Sequence, residues 1–327
     1  MMRTMGLALA MGCLGATAAL PMRSIAAAPA WPAKPVHILT PYQAGGSADA
    51  MARPIAAKLS EMWGQPVIVE NKPGANGILA TQTMIKAPAD GYTLLYHITG
   101  IIQNPLLYKT AGYDPLKDIA PVLQIGSQSM ALSVPAKSPL ANLDQLVAQG
   151  RGNPAGQSYG SVGNGHTGHI WSELLTSEHG IKGTHAAYKG SGPLVVDLIA
   201  GRLDWAFLST AEAATRLQDK SLRVLALSGP HRVKQLPGVA TLQELGYPGF
   251  EMVGWHGLFA PAGTPAATLR KIEDDVRKVL ADPEVARVAE TQFIEITGLG
   301  RADFTRVVQT DHDRWRTLIR KFDIKNE

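Results

Sequence analysis

An α/β fold is what this sequence predicts, and two patterns carry the prediction. Short runs rich in apolar and β-branched residues alternate with helix-forming runs along almost the whole chain, and glycine-containing turns join several of them. The strand-like runs read as nearly continuous apolar stretches, so mostly parallel sheets covered by helices on both faces are expected.

In chain order, "VHILTPY" (Val36 to Tyr42) reads as a buried strand, followed by a helix from about Ser47 to Met62. "PVIVEN" is the next strand, a helix begins near Gly77, and "YTLLYHI" is a third strand. "PVLQIG", "MALSVP", "DWAFLS" and "LRVLALS" follow as strands. Helices are expected near residues 142–149, 167–178, 192–200, 266–280, 283–291 and 302–321. The last three helices carry little strand pattern between them, so they are expected to pack on a sheet formed earlier in the chain. That makes the first domain discontinuous, with a middle segment from about 130 to 250 forming the second. No flexible Gly/Ser linker separates the two, so two crossing segments would serve as a hinge. There is no internal repeat and no low-complexity segment.

Residues 1–28 have the layout of a secretory signal peptide: Arg3, an apolar run from Met5 to Leu20, and small residues Ala26 to Ala28 suited to cleavage. The run is shorter than the roughly 20 residues a spanning helix needs. Cys13, the single cysteine, lies inside that run rather than after it, which argues against a lipid anchor. Export would leave no cysteine, so disulfides, thiol chemistry and Cys-ligated metals are excluded. Loss of Arg3 and Arg23 would take the net charge from +4 to +2. The remaining charges are interspersed, which excludes nucleic acid as a partner. The 33 glycines and 22 prolines signal turns rather than disorder, because 45% of residues are hydrophobic.

"GSVGNGHTGH" contains Gly163-x-Gly165-x-x-Gly168 in the strand–turn–helix setting of a dinucleotide site. That fingerprint calls for an acidic residue about 20 positions further on. The stretch Ile181 to Val195 offers none, and export removes the chain from the cytoplasmic NAD pool. No cofactor is expected. "TPYQAGGSADAMARPIAAKL" shares the same physical design. A helix N-terminus carries unpaired N–H groups and partial positive charge, and ligands collect beyond the carboxyl ends of parallel strands. Two such turns, one per domain, could face each other across a cleft and hold an anion.

Each of these residues also has a purely structural reading. Gly45 and Gly46 would serve a tight turn. Asp49 falls in the first turn of its helix, four residues before Arg53, an ion-pair spacing. Ser47 and Ser161 would serve as helix caps. His166 and His169 stand at i, i+3 with no third ligand nearby in sequence, so no metal is expected. No Gly-x-Ser-x-Gly elbow and no distinctive carboxylate pair supports a secreted hydrolase.

The ordered set "WPAKPVHILTPYQAGGSADAMAR", "VIVENKPGANGILA", "APADGYTLLY", "GNGHTGHIWSELL", "YKGSGPLVVDLIAGRLDWAF", "LPGVATLQELGYPGFEMVGWHGLFAPAGTPA" and "DRW" resembles the substrate-binding proteins of tripartite tricarboxylate transporters, the Bug-type periplasmic receptors. The resemblance implies a two-lobed, type II periplasmic-binding-protein (Venus-flytrap) fold, with residues 29–130 plus 251–327 as lobe 1 and 131–250 as lobe 2. It implies a monomer in the periplasm, with a small organic carboxylate as ligand and membrane transporter subunits as partners. A carboxylate-sensing role in signalling is the alternative. One binding loop would comprise Tyr42, Gln43, Ala44, Gly45, Gly46 and Ser47, with Asp49 behind it. The second would comprise Ser161, Gly163, Gly165, His166, Thr167 and His169, and Tyr188 would reach the cleft. Two departures stand out. His166 replaces the family's usual small hydroxyl residue, and Leu208 follows Phe207 where many members have an acid, which argues against an amino-acid ligand.

Overall fold

Two mixed sheets organise residues 31–324, the part of the chain that the computed structural model describes; the signal-peptide assignment lies outside those residues. The chain from Pro32 onward forms one compact unit. It begins with β1 (Val36–Thr40), α1 (Ser47–Trp63), β2 (Val67–Asn71), α2 (Ile78–Ile85), β3 (Thr93–Ile98), α3 (Gly100–Leu107) and β4 (Ile119–Gln128). It then crosses to β5 (Met130–Pro135), α4 (Leu143–Gly152), β6 (Gln157–Ser161), α5 (Thr167–His179), β7 (Gly183–Ala187), α6 (Ser191–Ile199), β8 (Trp205–Ser209), α7 (Thr210–Gln218) and β9 (Leu222–Leu227). It returns through β10 (Gly254–Pro261), α8 (Ala266–Leu280), α9 (Pro283–Thr291), β11 (Glu295–Gly300) and α10 (Arg301–Lys321).

The six-stranded sheet runs β11-β4-β10-β3-β1-β2 and the five-stranded sheet β7-β6-β8-β5-β9. The sheets are not mostly parallel. β1, β2 and β3 are parallel, as are β6, β7 and β8, but β10 is antiparallel to β3 and β4, and β5 to β8 and β9. The reversal follows from the crossings: β5 and β10 are the first strands to enter each sheet from the other, and both enter it in the opposite sense. A second correction concerns the C-terminal helices. A strand, β11, lies between α9 and α10 and pairs with the edge of β4. Its residues are mostly part-exposed and include two glycines, so it lacks the apolar run of a buried strand.

The crossing segments are tied to each other. Met130 N–H donates to Ser228 Oγ at 2.9 Å, and Ser228 N–H donates to Met130 O at 2.8 Å. Gly229, at φ +100°, passes so close that a Cβ there would lie 2.8 Å from Ser129 Oγ. One apolar core continues through both sheets, from Leu39, Leu95 and Ile101 to Tyr159, Trp171 and Trp205. Within it Trp171 of α5 packs on Trp315 of α10 with ring centroids 5.1 Å apart.

Candidate functional site

At the C-terminal end of β1 the chain turns through Tyr42 to Ser47 into α1. Buried Ala48, Met51, Ala52, Ile55, Ala56 and Leu59 form the stripe that seats this helix on its sheet. No side chain caps α1, whose N-cap residue is Gly46. Its first helical bond is Ala50 N–H to Gly46 O, so the amides of Ser47, Ala48 and Asp49 have no acceptor among the described residues. Ser47 Oγ is buried without a hydrogen-bond partner. Gln43 and Ala44 are exposed; Gln43 O accepts the Gly46 amide at 3.4 Å.

Asp49 organises this loop from within. It is 3% exposed and accepts from Gly45 N–H at 2.9 Å, Arg53 Nε at 2.9 Å and Asn71 Nδ2 at 2.8 Å. Burial pushes its carboxyl up, but the hydrogen bonds from Arg53, Gly45 and Asn71 overrule burial and hold it below the usual range. Its oxygens face the loop's own donors. The Gly45 amide is likewise engaged, so Gly45, at φ +87°, shapes the turn. Asn71 Nδ2 also donates to Tyr42 O at 3.0 Å, which fastens the start of the loop to the end of β2.

The Tyr42 ring meets His97 edge-on, centroids 5.8 Å apart, and its hydroxyl points toward the start of α3. Burial, and then the neighbouring Tyr113, raise the Tyr42 phenol well above its ordinary value. His97 is fully buried with Nε2 unpartnered, and burial pushes it down to about 4. Beside it, residues 74–77 have left-handed backbone in sequence, including the non-glycine Ala75 and Asn76 at φ 44° and 54°. Reciprocal bonds between Asn76 and Asn104 hold that strained turn.

The second loop leaves β6 at Ser161 and enters α5. His166 is the N-cap: its Nδ1 accepts the Gly168 amide at 3.2 Å. An accepting ring nitrogen carries no proton, so the proton sits on Nε2, which has no partner among the described residues. Burial first, then His169, push His166 down to about 4, so it is a neutral donor near pH 7. The amides of Thr167 and His169 also lack acceptors. The Ser161 hydroxyl is buried; it donates to Gly163 O at 2.8 Å and lies 2.7 Å from His185 Nε2. His169 is turned inward, 7% exposed, with Nδ1 accepting the Gly165 amide at 3.0 Å. Tyr188 donates its hydroxyl to Asp197 at 2.8 Å and its amide to Ser161 O, so it buttresses the second sheet.

α3 links the two loops. Its first residue lies against the Tyr42 hydroxyl; further along, Gln103 Nε2 donates to Thr167 Oγ1 at 3.3 Å, and Leu107 packs on Gly165. The three spaced glycines are thereby accounted for without a nucleotide: Gly163 turns the chain, Gly165 approaches Leu107, and Gly168 lets α5 approach Phe207 O. The sequence reading missed Asn71, His97, Gln103, Leu107, Glu173 and His185. The spacing of His169 and Glu173, four apart on a helix, was the available signal for one of them. Among the described residues no cluster of His, Cys, Asp or Glu could hold a metal ion, and no helix is long and apolar enough to cross a membrane.

Residues 51–324 match the family described as "Tripartite tricarboxylate transporter family receptor". The UPF0065 protein of the tcbD-tcbE intergenic region of Pseudomonas sp. (strain P51) is 34% identical over 291 residues, 89% of this chain and 87% of that protein. BugT of Bordetella pertussis is 31% identical over 298 residues, 90% of this chain and 91% of its own. Among solved structures, an R. palustris protein with adipate has a TM-score of 0.80 at 32% identity, covering 90% of this chain and 99% of that one. The periplasmic binding protein BugD has a TM-score of 0.77 at 28% identity, covering 91% and 100%. MatC from Rhodopseudomonas palustris with bound malate has a TM-score of 0.75 at 25% identity, covering 88% and 100%.

Proposed function

Because the chain belongs to the tripartite tricarboxylate transporter receptor family, we propose that it captures a small organic carboxylate between two lobes in the periplasm and delivers it to membrane transporter subunits. The observation that carries this reading is a pair of glycine-turned helix N-termini with unpaired donors. α1 offers the amides of Ser47, Ala48 and Asp49 and the Ser47 hydroxyl; α5 offers the amides of Thr167 and His169 and the Nε2 proton of His166. Such ends favour anions without a fixed cation. The nearby Arg53 is already paired to Asp49, at 2.8 Å.

Sheet membership supports lobe boundaries near those expected at 130/131 and 250/251: the chain changes sheet between Gln128 and Met130, and again between Leu227 and Gly254. The leader pattern and the periplasmic description of BugD support the reading that the protein is exported. We read the protein as a monomeric receptor rather than an enzyme: Ser161, beside His185, is buried and donates to Gly163, so it presents no nucleophile. Adipate and malate, the ligands of two similar structures, set the size class of the first candidates.

The test is a thermal-shift panel of organic acids on the exported protein. A ligand at 100 times its dissociation constant adds about 2.7 kcal/mol of stability. A shift from at least one mono- or dicarboxylate is expected; a panel without any shift contradicts the reading.

A further inference from the structure

The second loop rests on a file of polar side chains beneath it. The Gly165 amide donates to His169 Nδ1 at 3.0 Å, which leaves the His169 proton on Nε2. That nitrogen lies 3.4 Å from Glu173 Oε1, one helical turn along α5, and the Tyr159 hydroxyl donates to the same oxygen. The hydrogen bond from His169 holds the Glu173 carboxylate below its usual range against the effect of burial, with Tyr159 adding to it. From β7, His185 stacks on the His169 ring, centroids 3.7 Å apart and planes 9° from parallel. Its Nε2 lies 2.7 Å from Ser161 Oγ, whose proton goes to Gly163 O.

Two peptide groups of one loop are therefore set by one stack of imidazoles, Gly165 through its amide and Gly163 through its carbonyl. We propose that Glu173 and His185 are positioning residues for the ligand loop: Glu173 fixes the His169 tautomer that receives the Gly165 amide, and His185 holds Ser161 against Gly163. The alternative tautomer would point an Nδ1–H at the Gly165 N–H, two donors with no acceptor between them. Both glycines have left-handed φ, 143° and 72°, and no side chains of their own to pin them. The carboxylate that selects the tautomer is then what keeps the Thr167 and His169 amides aimed in one direction. The structural part of this proposal stands on hydrogen bonds within the chain; only its consequence for affinity rests on the carboxylate reading.

The test uses the exported protein, ligand-free, by nitrogen–proton correlation of the imidazoles together with exchange of the Gly165 amide. Wild type should show His169 as the Nε2–H tautomer and a protected Gly165 amide. Glu173→Ala should mix the tautomers and speed Gly165 exchange about tenfold, while Glu173→Gln, which keeps an acceptor, should stay closer to wild type. A wild-type His169 protonated on Nδ1, or the same tautomer and exchange in Glu173→Ala, overturns the proposal. The first of these outcomes is read on wild type alone, whatever the variants do. Adipate titration runs beside it. Where wild type binds adipate, Glu173→Ala should weaken it about tenfold; equal affinity overturns the link from loop to ligand. No binding of adipate by wild type counts against the choice of ligand and leaves the tautomer result to decide the positioning role.

Discussion

Gly165 of the second loop and Leu107 of α3 meet at a distance that leaves no room for a side chain: a Cβ on Gly165 would lie 2.4 Å from Leu107 Cδ1. Leu107 ends α3, which follows β3 of the six-stranded sheet, and Gly165 lies in the loop that leaves β6 of the five-stranded sheet, so their contact measures how closely the second loop sits on α3. Gly165→Ala should strain the left-handed backbone at φ +72° and push the loop off α3. A stability loss of about 1–2 kcal/mol is expected. Small-angle scattering of the ligand-bound variant should show a more open particle, and adding Leu107→Ala should restore part of the closure. Scattering and affinity unchanged in Gly165→Ala would show that this contact does not control closure.

Gly46 is the opposite case. Its φ of −74° suits any residue, and a Cβ there would make only ordinary contact, 3.5 Å from Gln43 O. Gly46→Val should therefore stay folded while blocking ligand approach to the α1 amides. The expected outcome is at least a tenfold loss of affinity with a loss of unfolding free energy of about 1 kcal/mol or less, since valine is a poorer N-cap than glycine. Unchanged affinity would reduce the first loop to a turn.

Asp49 ties Gly45, Arg53 and Asn71 together from a buried position, so Asp49→Ala should release the whole first loop. Hydrogen bonds to a charged group each contribute about 1.5–3 kcal/mol, and Arg53 is half exposed and keeps its hydration. A loss of about 2–4 kcal/mol in urea unfolding is expected. A loss under 0.5 kcal/mol would place the loop's stability elsewhere.

Stability should fall in mild acid because of buried histidines. Burial pushes His97 and His256 from 6.5 down to about 4, so the folded state excludes protons that the unfolded chain binds. Their contribution is fully present above pH 6.5 and is lost as pH falls from 6.5 toward 4. Each group adds a slope of about 1.4 kcal/mol per pH unit in that window. Denaturant titrations at pH 4.5, 5.5, 6.5 and 7.5 should show a steep rise below 6.5 and a much flatter course above it. A flat profile from 4.5 to 6.5 would mean that these rings are hydrated.

The sequence made the helices around residues 266–280 and 283–291 legible to the residue, because their apolar stripes and the Asp282–Pro283 start are strong local signals. It showed both glycine turns at the correct strand ends for the same reason. It did not show that β10 would enter between β3 and β4 in reverse, since strand direction is set by the crossings and not by residue pattern. His169 illustrates the limit for the site. Its place in the second loop was readable, but its inward orientation depends on Tyr159, Glu173 and His185 converging from β6, α5 and β7, and that convergence is a property of the packed chain.

The central claim is that neutral donors at the N-termini of α1 and α5 recognise negative charge on a small acid. Calorimetry of the exported protein at pH 7.5 tests it most directly, comparing the best acid from the panel with its uncharged primary amide of the same shape. The account predicts saturable one-to-one binding of the acid and at least 100-fold weaker binding of the amide, about 2.7 kcal/mol of discrimination. Equal affinity for the two, or binding of the acid that survives Gly46→Val intact, would contradict it.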